Sequence, residues 1–196
     1  MLASLALLLG LPLALAAEAP SCTPLVPVTF ENSSLPQIQG LWIYIAGASK
    51  YPPHLEELKG LKYAAFIISQ GNHEDELNVT EIMRVNETCV VKNSKIQVVR
   101  HNSTLVHVSE EVNSMAKLIQ SDKDALILNI VHDEYAGLSI SARTSNVSKE
   151  QMEEFKAQMH CLGFTEEEMF FMSEKDACPL PEEMTEDGDT EKQQVE

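Results

Sequence analysis

The sequence predicts an all-β fold: an eight-stranded antiparallel up-and-down β-barrel with one C-terminal α-helix packed on the barrel. Three observations predict it. Short runs of β-branched or alternating residues recur at hairpin spacing between residues 41 and 142, and turn-forming residues separate them. The hydrophobic period then changes once, to that of an amphipathic helix, between residues 148 and 164. A meander of eight strands must also dispose of its two edges, and closing the sheet on itself removes both.

The chain opens with a leader. Residues 2 to 17, LASLALLLGLPLALAA, are apolar apart from Ser4, and Ala14-Leu15-Ala16 gives the small-x-small pattern that signal peptidase reads. The segment is broken by Pro12 and ended by Glu18, too short for a membrane span, and no other stretch approaches the roughly 20 apolar residues a spanning helix needs. We therefore expect a signal peptide over residues 1–17, a single barrel domain over 18–178, and a secreted, extracellular product.

The expected strands are LWIYIAGA (41–48), YAAFIIS (63–69), ELNVTEIMR (76–84), IQVVR (96–100), TLVHVS (104–109), SMAKLIQ (114–120), ALILNIV (125–131) and LSISA (138–142). The segments QGNHED, VNET, KNS, HNS, SDKD and HDEYAG read as turns. After them SKEQMEEFKAQMHCLGF sets Met152, Phe155, Met159 and Leu162 on one helical face. Ser148 suits the N-cap with Gln151 completing a capping box, and Gly163 suits the stop. His132, Asp133 and Glu134 adjoin one another, but adjacent residues point apart, so they read as a solvated turn and no metal site is expected.

Composition excludes several functions. The formal net charge is −16, and the tail after Cys178 carries seven acids against Lys192, leaving about −10 on the rest. Such a surface repels phosphate backbones, so nucleic acid is not an expected partner. Residues 179–196 read as an acidic, disordered tail. Sequons stand at Asn32, Asn78, Asn86, Asn102 and Asn146, and that density behind an export signal points to a heavily glycosylated protein. Four cysteines, Cys22, Cys89, Cys161 and Cys178, suit two disulfides in an oxidising compartment, with three pairings open.

Strand parity predicts which side chains face the lumen. With Asn78 and Thr80 outward, Val79, Glu81 and Met83 turn inward. A carboxylate among apolar walls is costly unless it is protonated or meets a cation, from the protein or from a ligand. Asn102 outward likewise points His107 inward, so Glu81 and His107 can face each other.

Gly40-x-Trp42 at the mouth of the first of eight strands, with a single helix after them, resembles the lipocalin family. The stretches CTPLVPVTFENSSLPQIQGLWIYIAGA, HDEYAGLSISA and TSNVSKEQMEEFKAQMHCL extend the resemblance to its orosomucoid branch over essentially the whole mature chain. The resemblance implies a calyx sealed at its base by Trp42, and disulfides Cys89–Cys178 and Cys22–Cys161. It implies a ligand cavity lined by Tyr44, Phe66, Glu81, Met83, His107, Ser139 and Ser141, taking small lipophilic and especially basic amphiphilic molecules such as steroids, drugs and lipids. His107 stands where other members carry Arg, and Asn129 and Ser141 where they carry cavity aromatics, so a less aromatic, pH-sensitive cavity is expected.

The resemblance further implies a monomer with an acute-phase or immune-modulating role. No cofactor is expected. Some lipocalins isomerise lipids with a free cavity thiol, but here disulfides claim all four cysteines and no hydrolase or phosphate-loop motif appears, so the chain does not read as an enzyme. The alternative to a carrier is an interaction glycoprotein acting through its glycans and acidic surface on immune or cell-surface partners.

Overall fold

A computed structural model describes residues 22–30, 35–108, 114–119, 124–132 and 135–181. The expected signal peptide, the sequon at Asn32, Asp133, Glu134 and residues 182–196 of the expected tail lie outside the described residues.

The elements in chain order are α1 (Leu35–Ile38), β1 (Gly40–Ser49), α2 (Pro52–Gly60), β2 (Leu61–Gln70), β3 (Glu76–Val85), β4 (Thr88–Val99), β5 (Thr104–Val108), β6 (Ser114–Ile119), β7 (Ala125–His132), β8 (Tyr135–Ala142), α3 (Lys149–Cys161) and β9 (Phe170–Phe171). Strands β1 to β8 form an antiparallel barrel. Each pairs with the next, and β8 returns to β1, closing the sheet. Past Ile43, β2 no longer pairs with β1, and β9 takes its place beside Ala46 and Gly47.

Several elements differ from expectation. α1 and β9 are unforeseen, and β8 begins at Tyr135, not Leu138: Tyr135, Ala136 and Gly137 of the expected turn HDEYAG pair with His132, Val131 and Ile130 of β7. β4 begins at Thr88, not Ile96, so Lys92-Asn93-Ser94 sits inside a strand and not in a turn. The reason is cross-strand pairing: Asn93 faces Thr80, whose hydroxyl donates to its side-chain oxygen at 2.9 Å, while Lys92 stands opposite Glu81. The turn before it is Asn86-Glu87, within the expected VNET, with Asn86 at φ 54°. α2, between β1 and β2, is likewise unforeseen. Its Pro52-Pro53 start needs no donors at the first helical positions.

α3 follows its sequence signals. Ser148 Oγ accepts from the Gln151 backbone N–H at 3.1 Å, and the Ser148 N–H donates to Gln151 Oε1 at 2.7 Å. Gly163, at φ 77°, turns the chain so that the Phe164 N–H reaches the Met159 carbonyl at 3.0 Å. The helix buries Phe155 and Met159 against Ala46, Ala48, Leu138 and Ile140 on the outer barrel wall. Burial of each large apolar side chain contributes roughly 1.5–3 kcal/mol.

The disulfides are Cys22–Cys161 and Cys89–Cys178. The second ties the C-terminal segment over Tyr63, Ala65 and Ile82, where Leu180 also packs. Arg84 adds Nε–H to the Asp176 carbonyl at 2.7 Å. Among the described residues no helix is long and apolar enough to cross a membrane.

Candidate functional site: the barrel interior

The floor of the barrel is built around Trp42, 1% exposed, with Phe30, Leu35, Ile38, Leu77, Val98 and Leu105 around it. Its indole N–H donates to the Ile38 carbonyl at 2.8 Å, which satisfies the one polar atom that burial would strand. Arg143, one residue past β8, sits with its guanidinium 3.6 Å from the indole centroid and donates to the Leu41 and Gln37 carbonyls at 2.9 and 2.7 Å. Desolvation lowers its pKa, and Asp124 pulls it back up. Gly40 completes the arrangement: it holds φ 96°, and a Cβ there would meet Arg143 Nη1 at 3.2 Å.

Register then places every expected wall residue on the face that carries Trp42. Phe66 stands opposite both Trp42 and Glu81, Met83 opposite Ala64, and His107 opposite Ile96. Ser141 faces Tyr44 and Leu126, and Ser139 faces Gly47 and Leu128. Tyr44 and Phe66 meet edge to face at 6.2 Å. A bulge between Tyr44 and Ala46 keeps Gly47 on the inner face, and the Tyr44 ring lies across it: a Cβ on Gly47 would fall 1.9 Å from the Tyr44 hydroxyl. Burial raises the Tyr44 phenol's pKa.

Asn129 is a correction. It pairs with Lys117 and Leu138 on the outer face, so no cavity position is lost there.

Along the inner face of β4 exposure falls from Val90, 37%, through half-buried Ser94 and Ile96 to Val98, 3%. The open end therefore lies toward Val90 and the closed end toward Trp42. Halfway down, the apolar wall is interrupted by Glu81, Ser94 and His107. Glu81 is half-buried, and desolvation raises its pKa; His107, Lys92 and the Ser94 hydroxyl pull it down, while Glu57 pushes it up. Ser94 lies near Glu81 but makes no hydrogen bond of normal geometry, and neither Ser94 Oγ nor His107 Nε2, both buried, has a partner among the described residues. Each unsatisfied buried group costs about 1–3 kcal/mol. The patch therefore sets unpaired hydrogen-bonding atoms beside a carboxyl group on an otherwise apolar stretch of wall.

Ser94 was hidden from the sequence by reading Lys-Asn-Ser as a turn. Arg143 carried no signal of its own, being one cation just beyond a strand. All four cysteines are in disulfides, which leaves no thiol nucleophile. Among the described residues no group of three His, Cys, Asp or Glu is placed to hold a metal ion.

A sequence model of the ApoM domain matches residues 1–182. The alpha-1-acid glycoprotein of Bos taurus is 30% identical over 190 residues, covering 94% of each chain. This chain belongs to the ApoM-domain family, among the alpha-1-acid glycoproteins. Alpha-1-acid glycoprotein of Oryctolagus cuniculus is 29% identical over 194 residues, 96% of each chain. Among solved structures, the siderocalin Ex-FABP, described as having dual ligand specificities, superposes with TM-score 0.62 at 20% identity, covering 74% of this chain and 99% of its own. Odorant Binding Protein OBP1 gives 0.63 at 12%, covering 78% and 99%. At these identities the structural neighbours establish the lipocalin fold alone.

Proposed function

We propose that the chain is an exported glycoprotein that carries small lipophilic molecules, basic amphiphiles among them, inside the barrel. The observation that carries this reading is the Glu81–Ser94–His107 patch: three polar groups on one wall of the barrel interior, with Ser94 Oγ and His107 Nε2 lacking hydrogen-bond partners among the described residues. A protein folded only for its surface gains nothing from that cost. The seven wall residues Tyr44, Phe66, Glu81, Met83, His107, Ser139 and Ser141 supply the contacts, with Ser94 added. The alpha-1-acid glycoprotein relatives and the odorant-binding neighbour support the same role.

The test is titration of the glycosylated, disulfide-intact protein with the neutral fluorophore N-phenyl-1-naphthylamine, followed by displacement with a steroid and with a lipophilic amine. Saturable binding and displacement by both are expected. Glu81→Gln is expected to weaken the amine about tenfold and the steroid little, because only the amine makes a charge-assisted bond there. Folded protein indifferent to all three probes overturns the reading.

A second reading, an interaction glycoprotein with an immune-modulating role, rests on a separate observation. The sequons at Asn86, Asn102 and Asn146 are exposed, and Asn78 lies on the outer barrel face opposite Lys95. Enzymatic deglycosylation distinguishes the two: a cellular effect lost while fluorophore binding persists assigns that effect to the glycans.

A further inference from the structure

A cavity of about 270 Å³ lies outside the barrel. It sits between α3 and the outer faces of β6, β7 and β8. Ile119, Ala125, Ile127, Leu138, Ile140 and Phe155 form its apolar floor. The N-terminal segment from Thr23 to Val26 closes one side. That strap is fixed at both ends, by the Cys22–Cys161 disulfide to α3 and by the Val28 N–H, which donates to the Leu118 carbonyl of β6 at 2.8 Å. The walls are thus held apart by covalent and backbone anchors. Ile127, although beneath the helix, stays half-buried.

The rim has a distinct chemistry. Gln151, Glu154 and Gln158 recur at helical spacing along the edge of α3. Among the described residues Glu154 is the sole ionisable one lining the cleft, and it enters no ion pair with another of them; the neighbouring Lys149 pairs with Glu153. An apolar cavity of about 150 Å³ accommodates benzene, so this one takes roughly ten non-hydrogen atoms.

We propose that this cleft is a second ligand site, separate from the calyx, selective for small organic cations with a compact apolar body. The body replaces apolar surface exposed at the floor, and the ammonium meets the Glu154 carboxylate at the rim, with the side-chain amides of Gln151 and Gln158 beside it. A neutral analogue of the same size keeps the apolar contribution alone. An anionic one meets Glu154 and a body of net negative charge. Because Glu154 is exposed, the preference for cation over neutral analogue is modest, about two- to fivefold, and shrinks with added salt.

The experiment is a methyl-NMR titration of the glycosylated, disulfide-intact protein with 2-phenylethylammonium, 2-phenylethanol and phenylacetate. Ile127 and Ile140 report the outer cleft, and Ile68 and Ile96 report the calyx. Saturable shifts at Ile127 and Ile140 are expected, strongest for the ammonium and weakest for the carboxylate. Glu154→Gln is expected to bring the ammonium down to the alcohol's affinity. Ile127→Trp, which fills the cleft, is expected to abolish the Ile140 shifts while N-phenyl-1-naphthylamine still enters the calyx. Should that variant fail to fold, the surface substitution Glu154→Gln decides alone. Shifts confined to Ile68 and Ile96, equal affinity for all three probes, or an ammonium preference that survives Glu154→Gln overturns the proposal.

Discussion

The Arg143 guanidinium sits 3.6 Å from the centre of the Trp42 indole and holds the carbonyls of Leu41 and Gln37. One side chain thereby stacks on the barrel plug and bonds the backbone on either side of Gly40. Arg143→Ala removes the cation–π contact, about 0.5–2 kcal/mol, and frees two carbonyls. A loss of about 2–3 kcal/mol in urea unfolding is expected. Arg143→Lys is expected to recover less than half of it, since an ammonium cannot span two carbonyls and stack at once.

Tyr44 and Gly47 form a second dependent pair. Gly47→Ala puts a methyl into the Tyr44 ring, 2.9 Å from its Cζ and 1.9 Å from its hydroxyl, with the Leu138 carbonyl 3.0 Å away. A loss of about 1–3 kcal/mol is expected from overpacking. In a double-mutant cycle Tyr44→Ala is expected to recover most of it, because the colliding ring is gone; additive losses would show that the Leu138 carbonyl, not the ring, opposes the methyl.

These two pairs show how much of the site the sequence discloses. The inward parity of Glu81 follows from Asn78 alone, because alternation on a strand is local; Asn102 cannot carry the same argument to His107, since it lies in the turn before β5 with Ser103 at φ 54° between them. Helix α3 is legible at both ends, since capping uses residues three positions apart. What is not legible is contact across the chain: Arg143 reaching Trp42 spans 101 residues of sequence, and the bulge that turns Gly47 inward depends on β8. Ser94 failed for the same reason, its strand being fixed by Thr80 and Glu81 opposite and not by its own propensity.

Glu81 gives a pH dependence whose sign can be worked out. Its carboxyl pKa is raised in the folded state, chiefly by burial, so the native protein favours the protonated acid. That contribution is fully present below the unfolded pKa, about 4.3, and is lost as pH rises through the raised native value. Glu81→Gln cannot ionise. It is expected to raise the urea midpoint of the ligand-free protein at neutral pH and to leave it unchanged below about pH 4. Carboxylates such as Glu76, whose pKa is lowered by the Asn72 N–H and Lys95, act with the opposite sign but cancel in the comparison of variant with wild type. Equal midpoints across the whole range would mean that Lys92 and His107 already neutralise the buried charge.

The two disulfides are expected to contribute unequally, and against the order that chain entropy alone gives. Cys22–Cys161 closes 139 residues and Cys89–Cys178 closes 89, so the entropic model favours the first by about 0.4 kcal/mol. The native surroundings reverse this. Cys178 is 6% exposed and packs with Tyr63, Ala65, Ile82 and Leu180, whereas Cys22 is exposed at the start of the strap. Replacing Cys89 and Cys178 by Ala releases the C-terminal segment from that cluster and uncovers Ile82, which adds roughly 1.5–3 kcal/mol to the entropic contribution; the expected loss is larger by at least about 1 kcal/mol than for Cys22 and Cys161. Urea unfolding of the two double variants measures the difference. The second variant is also expected to weaken amine binding in the outer cleft without altering fluorophore affinity in the calyx, because only the strap between α3 and β6 has been loosened.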